Sequence, residues 1–138
     1  MAVDKDKTIY FQITKNNTDS NKFKTFFENL LNKLNDKEKN ESLFILDNLS
    51  SHSTPEMFEL YSNNKLKILF GVPYFSKLNM IELCFRGIKN ILYKNIFKSI
   101  DEVEEKVKLI INDKDFISSY KYFYKETLNN YLDFINNN

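Results

Sequence analysis

The chain has 138 residues, enough for one domain with a hydrophobic core and too few for two. Hydrophobic residues make up 42% and aromatic residues 15% of the sequence, which excludes a disordered chain. The 20 basic and 19 acidic residues nearly cancel, so net charge indicates neither nucleic acid nor membrane as a partner. Cys84 is the one cysteine, which excludes an intrachain disulfide. No apolar run reaches the roughly 18 residues of a membrane span, and we expect an intracellular domain.

Three segments predict β-strands. Thr8–Thr14 alternates apolar and polar residues, as in a half-buried strand. Leu43–Leu46 is a short continuous apolar run, typical of a strand buried on both faces. Leu66–Phe70 is a second run of this kind. These strands would supply the sheet of the domain.

Helical spacing of apolar residues and capping signals predict five helices between and after these strands. The first contains Phe23 to Leu34 behind Asp19 or Ser20 as cap, and the second begins at Thr54-Pro55 with Met57, Phe58 and Tyr61 inward. The third helix has Asn79 as its cap, and its inward residues are Ile81, Cys84, Phe85, Ile88, Ile91 and Leu92. The fourth begins with a Ser99–Glu102 capping box, and its inward residues are Ile100, Val103, Val107 and Ile110. The last helix runs from about Phe116 to Ile135.

The order of strands and helices predicts an α/β fold in one domain over residues 1–138, without internal repeats or long linkers. Short crossovers imply that the second and third strands pair in parallel. Ligands in such sheets bind beyond the carboxyl ends of the strands. Asp47 and the Gly71–Lys77 loop both follow strands at that edge.

Asp47 is the first candidate for chemistry. It follows a buried strand and precedes the polar segment Asn48–His52, which suits a metal ligand or a phosphoacceptor. The alternative is an aspartate that starts a turn by bonding its own backbone. His52 is the only histidine, and we place it in support of Asp47 at most.

Glu82 is the second candidate. It lies in the first turn of its helix, where it could close a capping box with Asn79 or point toward the strand edge. From Lys65 to Lys98 it is the single acid among seven basic residues, a pattern that suits a bound polyanion and also fits a solvated face. The residues predicted to contact DNA are Lys65, Lys67, Arg86, Lys89 and Lys94.

Two sequence blocks resemble the catalytic core of mariner-type and bacterial insertion-sequence transposases, the DDE superfamily endonucleases. The first is Leu46-Asp47-Asn48 with His52 five residues after the aspartate, and the second runs from Pro73 to Glu82. The 34 residues between Asp47 and Glu82 match the spacing of that family's second and third acids. The resemblance covers residues 8–111, with Phe75, Ser76 and Met80 departing from the usual Ser, Pro and Pro.

The resemblance implies an RNase H-like fold and phosphoryl transfer on DNA during transposition, with two Mg²⁺ or Mn²⁺ ions held by three carboxylates. Asp47 and Glu82 would be catalytic metal ligands within about 8 Å of each other. Asn48, His52 and Asn79 would support them. The protein would work in the nucleus of a eukaryote or the cytoplasm of a bacterium.

The family's first acid has no counterpart in this match. Thr8–Thr14 corresponds to the family's third strand, and Asp4 and Asp6 precede the wrong strand. We therefore expect a carboxyl-terminal fragment of the catalytic domain, with residues 112–138 as a helical extension, that binds metal weakly and does not cut DNA alone. In the family's sheet, the strand of the second acid, here Leu43–Leu46, pairs with the first strand, which has no counterpart in this match. Thr8–Thr14 would therefore pair with Leu43–Leu46 in its place, or the chain would aggregate, self-associate or need a complementing chain.

Two other functions remain open. The same scaffold could serve as a non-catalytic nucleic-acid-binding or interaction module. A receiver-like signalling domain with Asp47 as phosphoacceptor is the third reading, but it needs an acidic pair after its first strand, and Thr14-Lys15-Asn16 supplies none.

Overall fold

The computed structural model describes residues 1–15, 17–71 and 78–137, which form two compact units. The middle unit comprises Thr14–Asn79, and the terminal unit comprises Met1–Ile13 with Met80–Asn138. The prediction of one domain over the whole chain stays a prediction. The elements are β1 (Ala2–Val3), β2 (Thr8–Tyr10), α1 (Ser20–Leu31), α2 (Asp36–Glu41), β3 (Leu43–Leu46), a 3₁₀ turn (Ser50–His52), α3 (Pro55–Asn63), β4 (Lys67–Phe70), α4 (Met80–Leu92), α5 (Ile100–Asn112), α6 (Lys114–Ser118) and α7 (Tyr120–Asn136).

The sheet of the middle unit is the predicted parallel pair of β3 and β4. Leu43 lies opposite Lys67, and the register continues to Leu46 opposite Phe70. The expectation that β3 is buried on both faces is wrong, because Leu43 is 55% and Ile45 43% exposed. The helices of this unit cover only the other face, so a continuous apolar run here does not mean two-sided burial.

Aromatic packing holds the covered face of this sheet. Phe27 of α1 lies 5.7 Å from Phe44 of β3 and 5.2 Å from Tyr61 of α3, measured between ring centroids. Met57 is fully buried in the same unit, whereas Phe58, predicted to point inward, is half exposed. The caps of α1 and α3 are the predicted ones, since Asp19 and Thr54 each accept a main-chain N–H.

The polar segment between α1 and β3 contains a helix that the spacing of apolar residues does not predict. It forms the short helix α2, closed by a capping box in which Asn35 and Glu38 bond each other's main-chain N–H. A six-residue helix with no buried side chain has no apolar periodicity, so the hydrophobic pattern could not reveal it. The Asn-x-x-Glu spacing was the signal that could have found it.

The terminal unit begins with a β-hairpin rather than a long strand. The expected strand Thr8–Thr14 ends at Tyr10, because its antiparallel partner β1 has only two residues, Ala2 and Val3. Asp4 closes the turn, since its Oδ1 accepts the main-chain N–H groups of Asp6 and Lys7 at 2.7 Å. The partner of β2 is therefore β1, and the partner of β3 is β4.

Helices α4 to α7 build the core of the terminal unit. Its buried members are Cys84, Ile88, Ile110, Ile111, Phe116 and Tyr120, with Val3 and Phe11 of the hairpin segment packed against them. The Tyr120 hydroxyl lies 2.7 Å from Thr8 Oγ1, so the one polar atom of this buried ring is satisfied by β2. The hairpin and the carboxyl-terminal helix thus stabilise each other.

Three predicted helix details in this unit are wrong. The expected helix from Phe116 to Ile135 is divided into α6 and α7 at Ser119, whose Oγ donates to Phe116 O at 2.5 Å. The side chain of Ser119 thereby competes with the helical main chain. Phe85 of α4 and Ile100 at the start of α5, both expected to face inward, are 37% and 65% exposed. Ser99 caps α5 as predicted by accepting Glu102 N–H, but the Glu102 side chain accepts the N–H of Lys98 and not that of Ser99, so the predicted capping box is only half formed.

The mixture of helices with small sheets is compatible with the predicted α/β class. Among the residues that the structure describes, no helix is both long and apolar enough to cross a lipid bilayer.

Candidate metal centre and basic surface

Asp47 directly follows β3, at the carboxyl end of the parallel pair. The main chains of the two strands stay joined past this point, because Gly71 N donates to Leu46 O at 2.7 Å. The side-chain amide of Asn48 also donates to Gly71 O. These bonds fix the backbone on both sides of Asp47. The carboxylate is therefore placed by the sheet and not by a free loop.

His52 contacts the Asp47 carboxylate directly. Its Nδ1 lies 2.7 Å from Asp47 Oδ1 and 3.2 Å from the main-chain oxygen of Asp47. Two oxygens facing one ring nitrogen require a hydrogen on that nitrogen, so Nδ1 is the protonated position. The Nδ1–H group of His52 is aligned for a hydrogen bond to the main-chain oxygen of Asp47. Asp47 Oδ1 is close to the same nitrogen but is not aligned with its N–H, so that contact is electrostatic.

The histidine is held from two other sides. Its ring stacks on Phe23 of α1 with 3.8 Å between centroids, and its main-chain oxygen accepts the Tyr61 hydroxyl at 2.9 Å. Burial raises the pKa of Tyr61 to about 12, so that hydroxyl stays protonated and able to donate well above neutral pH. The His52 side chain is consequently only 12% exposed, and its position is set by α1 and α3.

The geometry of Asp47 fits a cation ligand. Its Oδ1 is removed from solvent and receives no aligned hydrogen bond from the described residues, yet the side chain as a whole is 44% exposed. The exposure therefore lies on the Oδ2 side of the carboxylate. A hard carboxylate oxygen held on a rigid strand end is the type of ligand that Mg²⁺ and Mn²⁺ prefer.

Glu82 belongs to the terminal unit, where it lies half-buried in the first turn of α4. Asn79 lies just ahead of that helix and has contacts of its own, but its role as the cap stays a prediction. Because Asp47 and Glu82 belong to different units, the predicted approach of their carboxylates to within about 8 Å also stays a prediction. Most of the Gly71–Lys77 loop, from 72 to 77, lies outside the described residues.

Over residues 1–15, 17–71 and 78–137, no three histidine, cysteine, aspartate or glutamate side chains cluster as a metal site. Asp4 bonds its own hairpin turn, and Asp6 lies 3.9 Å from both Lys5 and Lys121. The terminal unit thus already engages both carboxylates in other contacts.

The predicted DNA-contacting residues divide between the two units. Lys65 and Lys67 are exposed around the start of β4 in the middle unit, and Arg86, Lys89 and Lys94 are exposed on and after α4 in the terminal unit. Arg86 and Lys89 lie on the side of α4 away from the buried Cys84 and Ile88. That they form one surface stays a prediction.

Cys84 lies in the core, as its place among the inward residues of α4 predicted. It is fully buried, and burial raises the pKa of its thiol to about 12, so almost no reactive thiolate exists at neutral pH.

Sequence reasoning missed how His52 is held. Phe23 and Tyr61 appeared only as core residues of their helices, and neither spacing nor composition connects them with His52. The short 3₁₀ turn Ser50–His52, closed by His52 N–H donating to Leu49 O at 2.9 Å, brings the ring back over Asp47. A histidine five residues after a strand-ending aspartate was the available signal.

A carboxylate fixed at the carboxyl end of a parallel strand lies where α/β sheets place their ligand-binding side chains. The family model for the DDE superfamily endonuclease matches residues 1–104. The chain therefore belongs to the DDE superfamily of endonucleases, whose members act on DNA and generally use divalent metal ions. No curated protein and no solved structure matches the chain.

Proposed function

We propose that this chain supplies two metal-binding carboxylates, Asp47 and Glu82, to a mariner-like transposase site that cleaves and joins DNA strands. The observation that carries the proposal is the fixed Asp47 side chain, with His52 against one oxygen and solvent against the other. The spacing to Glu82 and the membership in the DDE superfamily support it. A bound Mg²⁺ or Mn²⁺ would activate the attacking oxygen and stabilise the leaving one.

The residues of the chain have separate tasks in this proposal. Asp47 and Glu82 hold the cation, and His52 keeps the Asp47 carboxylate in one orientation. Asn48 fixes the strand end through Gly71 O. The basic residues Arg86 and Lys89 bind DNA phosphates without reading sequence, because a cation on a helix surface contacts every phosphate alike.

Metal binding tests the first part. We expect Mn²⁺ titration, followed by electron paramagnetic resonance, to show weak binding that Asp47→Asn and Glu82→Gln each reduce at least about tenfold, because each removes one charged ligand. Glu59→Gln is the matched control, since Glu59 is exposed on α3. Unchanged affinity in the Glu82 variant would remove Glu82 from the site.

DNA binding tests the second part. We expect sequence-independent binding that falls steeply with added salt and that Arg86→Ala with Lys89→Ala weakens. Lys114→Ala with Lys125→Ala removes the same charge from exposed positions of α6 and α7 and is the matched control. Equal losses in both double variants would mean that only net charge matters.

The expectation that the 138 residues alone do not cleave DNA remains part of the proposal. Its reason is the missing counterpart of the family's first acid, since two carboxylates hold one cation where the reaction uses a pair. Supercoiled plasmid incubated with Mg²⁺ or Mn²⁺ should stay intact. Nicking that Asp47→Ala abolishes would show that a further carboxylate completes the site.

A further inference from the structure

The end of α4 exposes an aromatic ring among positive charges. Tyr93 is 82% exposed directly after α4, and Ile96 is 97% exposed three residues later. Lys94 and Lys98 are exposed beside them. These two apolar side chains, Tyr93 and Ile96, form the tip of the connection between α4 and α5.

The tip is held by two capped helix ends. Asn95 donates from its side chain to Ile91 O at 2.7 Å and from its main chain to Leu92 O at 2.9 Å, which closes the last turn of α4. On the other side, Lys98 N donates to the Glu102 side chain at 2.8 Å, which fixes the start of α5. The Tyr93 ring is therefore displayed on a defined backbone.

The tip continues a charged line along α4. Glu82, Arg86, Lys89 and Tyr93 are spaced by four, three and four residues, so they lie along one side of the helix, away from buried Cys84 and Ile88. At about 1.5 Å per residue the line spans about 16 Å, the length of about five stacked nucleotides of one strand.

From these observations, and resting on the proposed function, we propose that α4 binds an unpaired DNA strand, with Tyr93 stacking on an exposed base and Arg86 and Lys89 contacting the phosphates that lead toward Glu82. A polyanion is favoured as the occupant because Glu82 is the single acid in residues 78–98 beside four basic residues. The first turn of α5 carries Asp101 and Glu102, so the strand follows α4 and does not cross to α5. Duplex DNA buries its base faces and offers this ring nothing to stack on.

The experiment compares an oligo-dT strand with a hairpin duplex of equal nucleotide number by fluorescence anisotropy. We expect the full chain to prefer the single strand, Tyr93→Ala to weaken single-strand binding about tenfold with little change for the duplex, and Tyr93→Phe to keep it. Tyr122→Ala is the matched control, because Tyr122 is exposed on α7 of the same unit next to a lysine. Equal single-strand affinity of Tyr93→Ala and the unmodified protein would overturn the proposal.

A tryptophan substitution reports stacking directly, because the chain contains no tryptophan. The fluorescence of Tyr93→Trp should be quenched by oligo-dT and not by the duplex, whereas Tyr122→Trp should respond to neither. Salt-dependent duplex binding without an effect at position 93 would overturn the stacking and leave the proposed function standing. Binding of neither DNA form would refute the proposed function itself. A dimer that Tyr93→Ala converts to a monomer would assign the tip to self-association instead.

Discussion

Gly87 is the position on α4 where a single methyl group would meet the core. A Cβ there would lie 2.9 Å from a ring carbon of buried Phe116 and 3.5 Å from Phe123. Phe116 cannot withdraw easily, because its ring also packs against Tyr120 with 5.6 Å between centroids. The glycine therefore serves close helix packing and not chain flexibility.

We expect Gly87→Ala to lower stability although alanine favours helices. Overpacking a rigid core costs about 1–3 kcal/mol, against a helix-propensity gain of about 1 kcal/mol. Asn90→Ala on the exposed side of the same helix is the control and should raise the melting temperature slightly. Thermal unfolding followed by circular dichroism measures both. A higher melting temperature for Gly87→Ala would show that the Phe116 ring moves aside freely. If the ring stays in place, adding Phe116→Leu to Gly87→Ala should restore part of the lost stability.

Lys65 adopts a backbone conformation that usually belongs to glycine. Its φ is 52°, and it follows α3 in a Schellman arrangement in which Leu66 N donates to Tyr61 O and Lys65 N to Ser62 O, both at 3.0 Å. A side chain in this left-handed region costs about 1 kcal/mol or more.

Lys65→Gly should therefore stabilise the middle unit by up to about 1 kcal/mol, while removing one predicted DNA contact. The control Lys67→Gly removes the same charge from β4, where glycine weakens a strand, and should destabilise it. Urea midpoints of the two variants should shift in opposite directions. A loss of stability in Lys65→Gly would contradict the cost assigned to the positive φ.

At the scale of elements, the sequence predicted β3 and β4 with their parallel pairing but not the exposed face of their sheet. Apolar side chains show that a segment can be buried, whereas the helices that cover it come from elsewhere in the chain. By contrast, α1 and α3 were predictable from their own periodicity and caps, and α4 from its periodicity, because these are local features. The break between α6 and α7 depends on a serine side chain. The hairpin partner β1 depends on contacts with the terminal core, against which Val3 packs.

The candidate site also has one part that the sequence predicted and one part that it could not predict. The sequence identified Asp47 because the end of an apolar run is a local feature. The stacking of His52 on Phe23 and the Tyr61 bond to His52 O depend on the fold, since they join segments up to 29 residues apart, counted from Phe23 to His52. Local patterns therefore locate a functional side chain, and tertiary packing decides what orients it.

The exposed sheet face gives a prediction at this scale. Exposed apolar strands promote self-association, so Ile45→Thr should reduce it while keeping a β-branched residue in the strand. Stability should change little. Phe44→Thr on the opposite face is the control and should lower stability by about 3 kcal/mol or more, because the Phe44 ring packs against Phe27. Light scattering reports association, and chemical denaturation reports stability. Equal association of Ile45→Thr and the unmodified chain would mean that another surface is responsible.

At the scale of the whole molecule, both units contain tyrosines whose ionisation the fold opposes. Burial raises the pKa of Tyr61 in the middle unit to about 12, and burial also raises the pKa of Tyr120 in the terminal unit. Cys84, next to Tyr120 in the terminal core, has its thiol pKa raised to about 12 by the same cause. In each case the folded state retains a proton that the unfolded chain releases.

Because the folded protein binds more protons than the unfolded chain above the ordinary pKa values, its stability must fall as pH rises. For Tyr61 the contribution is fully present below about pH 10 and is lost as pH rises from about 10 to about 12, and the raised pKa of Tyr120 contributes in the same direction. For the Cys84 thiol the loss begins about one unit lower. Urea midpoints measured across this range should therefore decline, with no comparable change between pH 6 and pH 8 from these groups.

Two variants separate the units in this measurement. Tyr61→Phe cannot ionise and leaves His52 O without its donor, so it should be less stable at neutral pH but decline less steeply above about pH 10. Tyr120→Phe should likewise be less stable at neutral pH, because it loses the hydrogen bond to Thr8, and its stability should also decline less steeply at alkaline pH. Labelling of Cys84 by a thiol reagent reports opening of the terminal unit alone, because that single thiol is fully buried there. An alkaline decline that is as steep in both variants as in the unmodified protein would contradict the assignment, since the lost protons would then come from other groups.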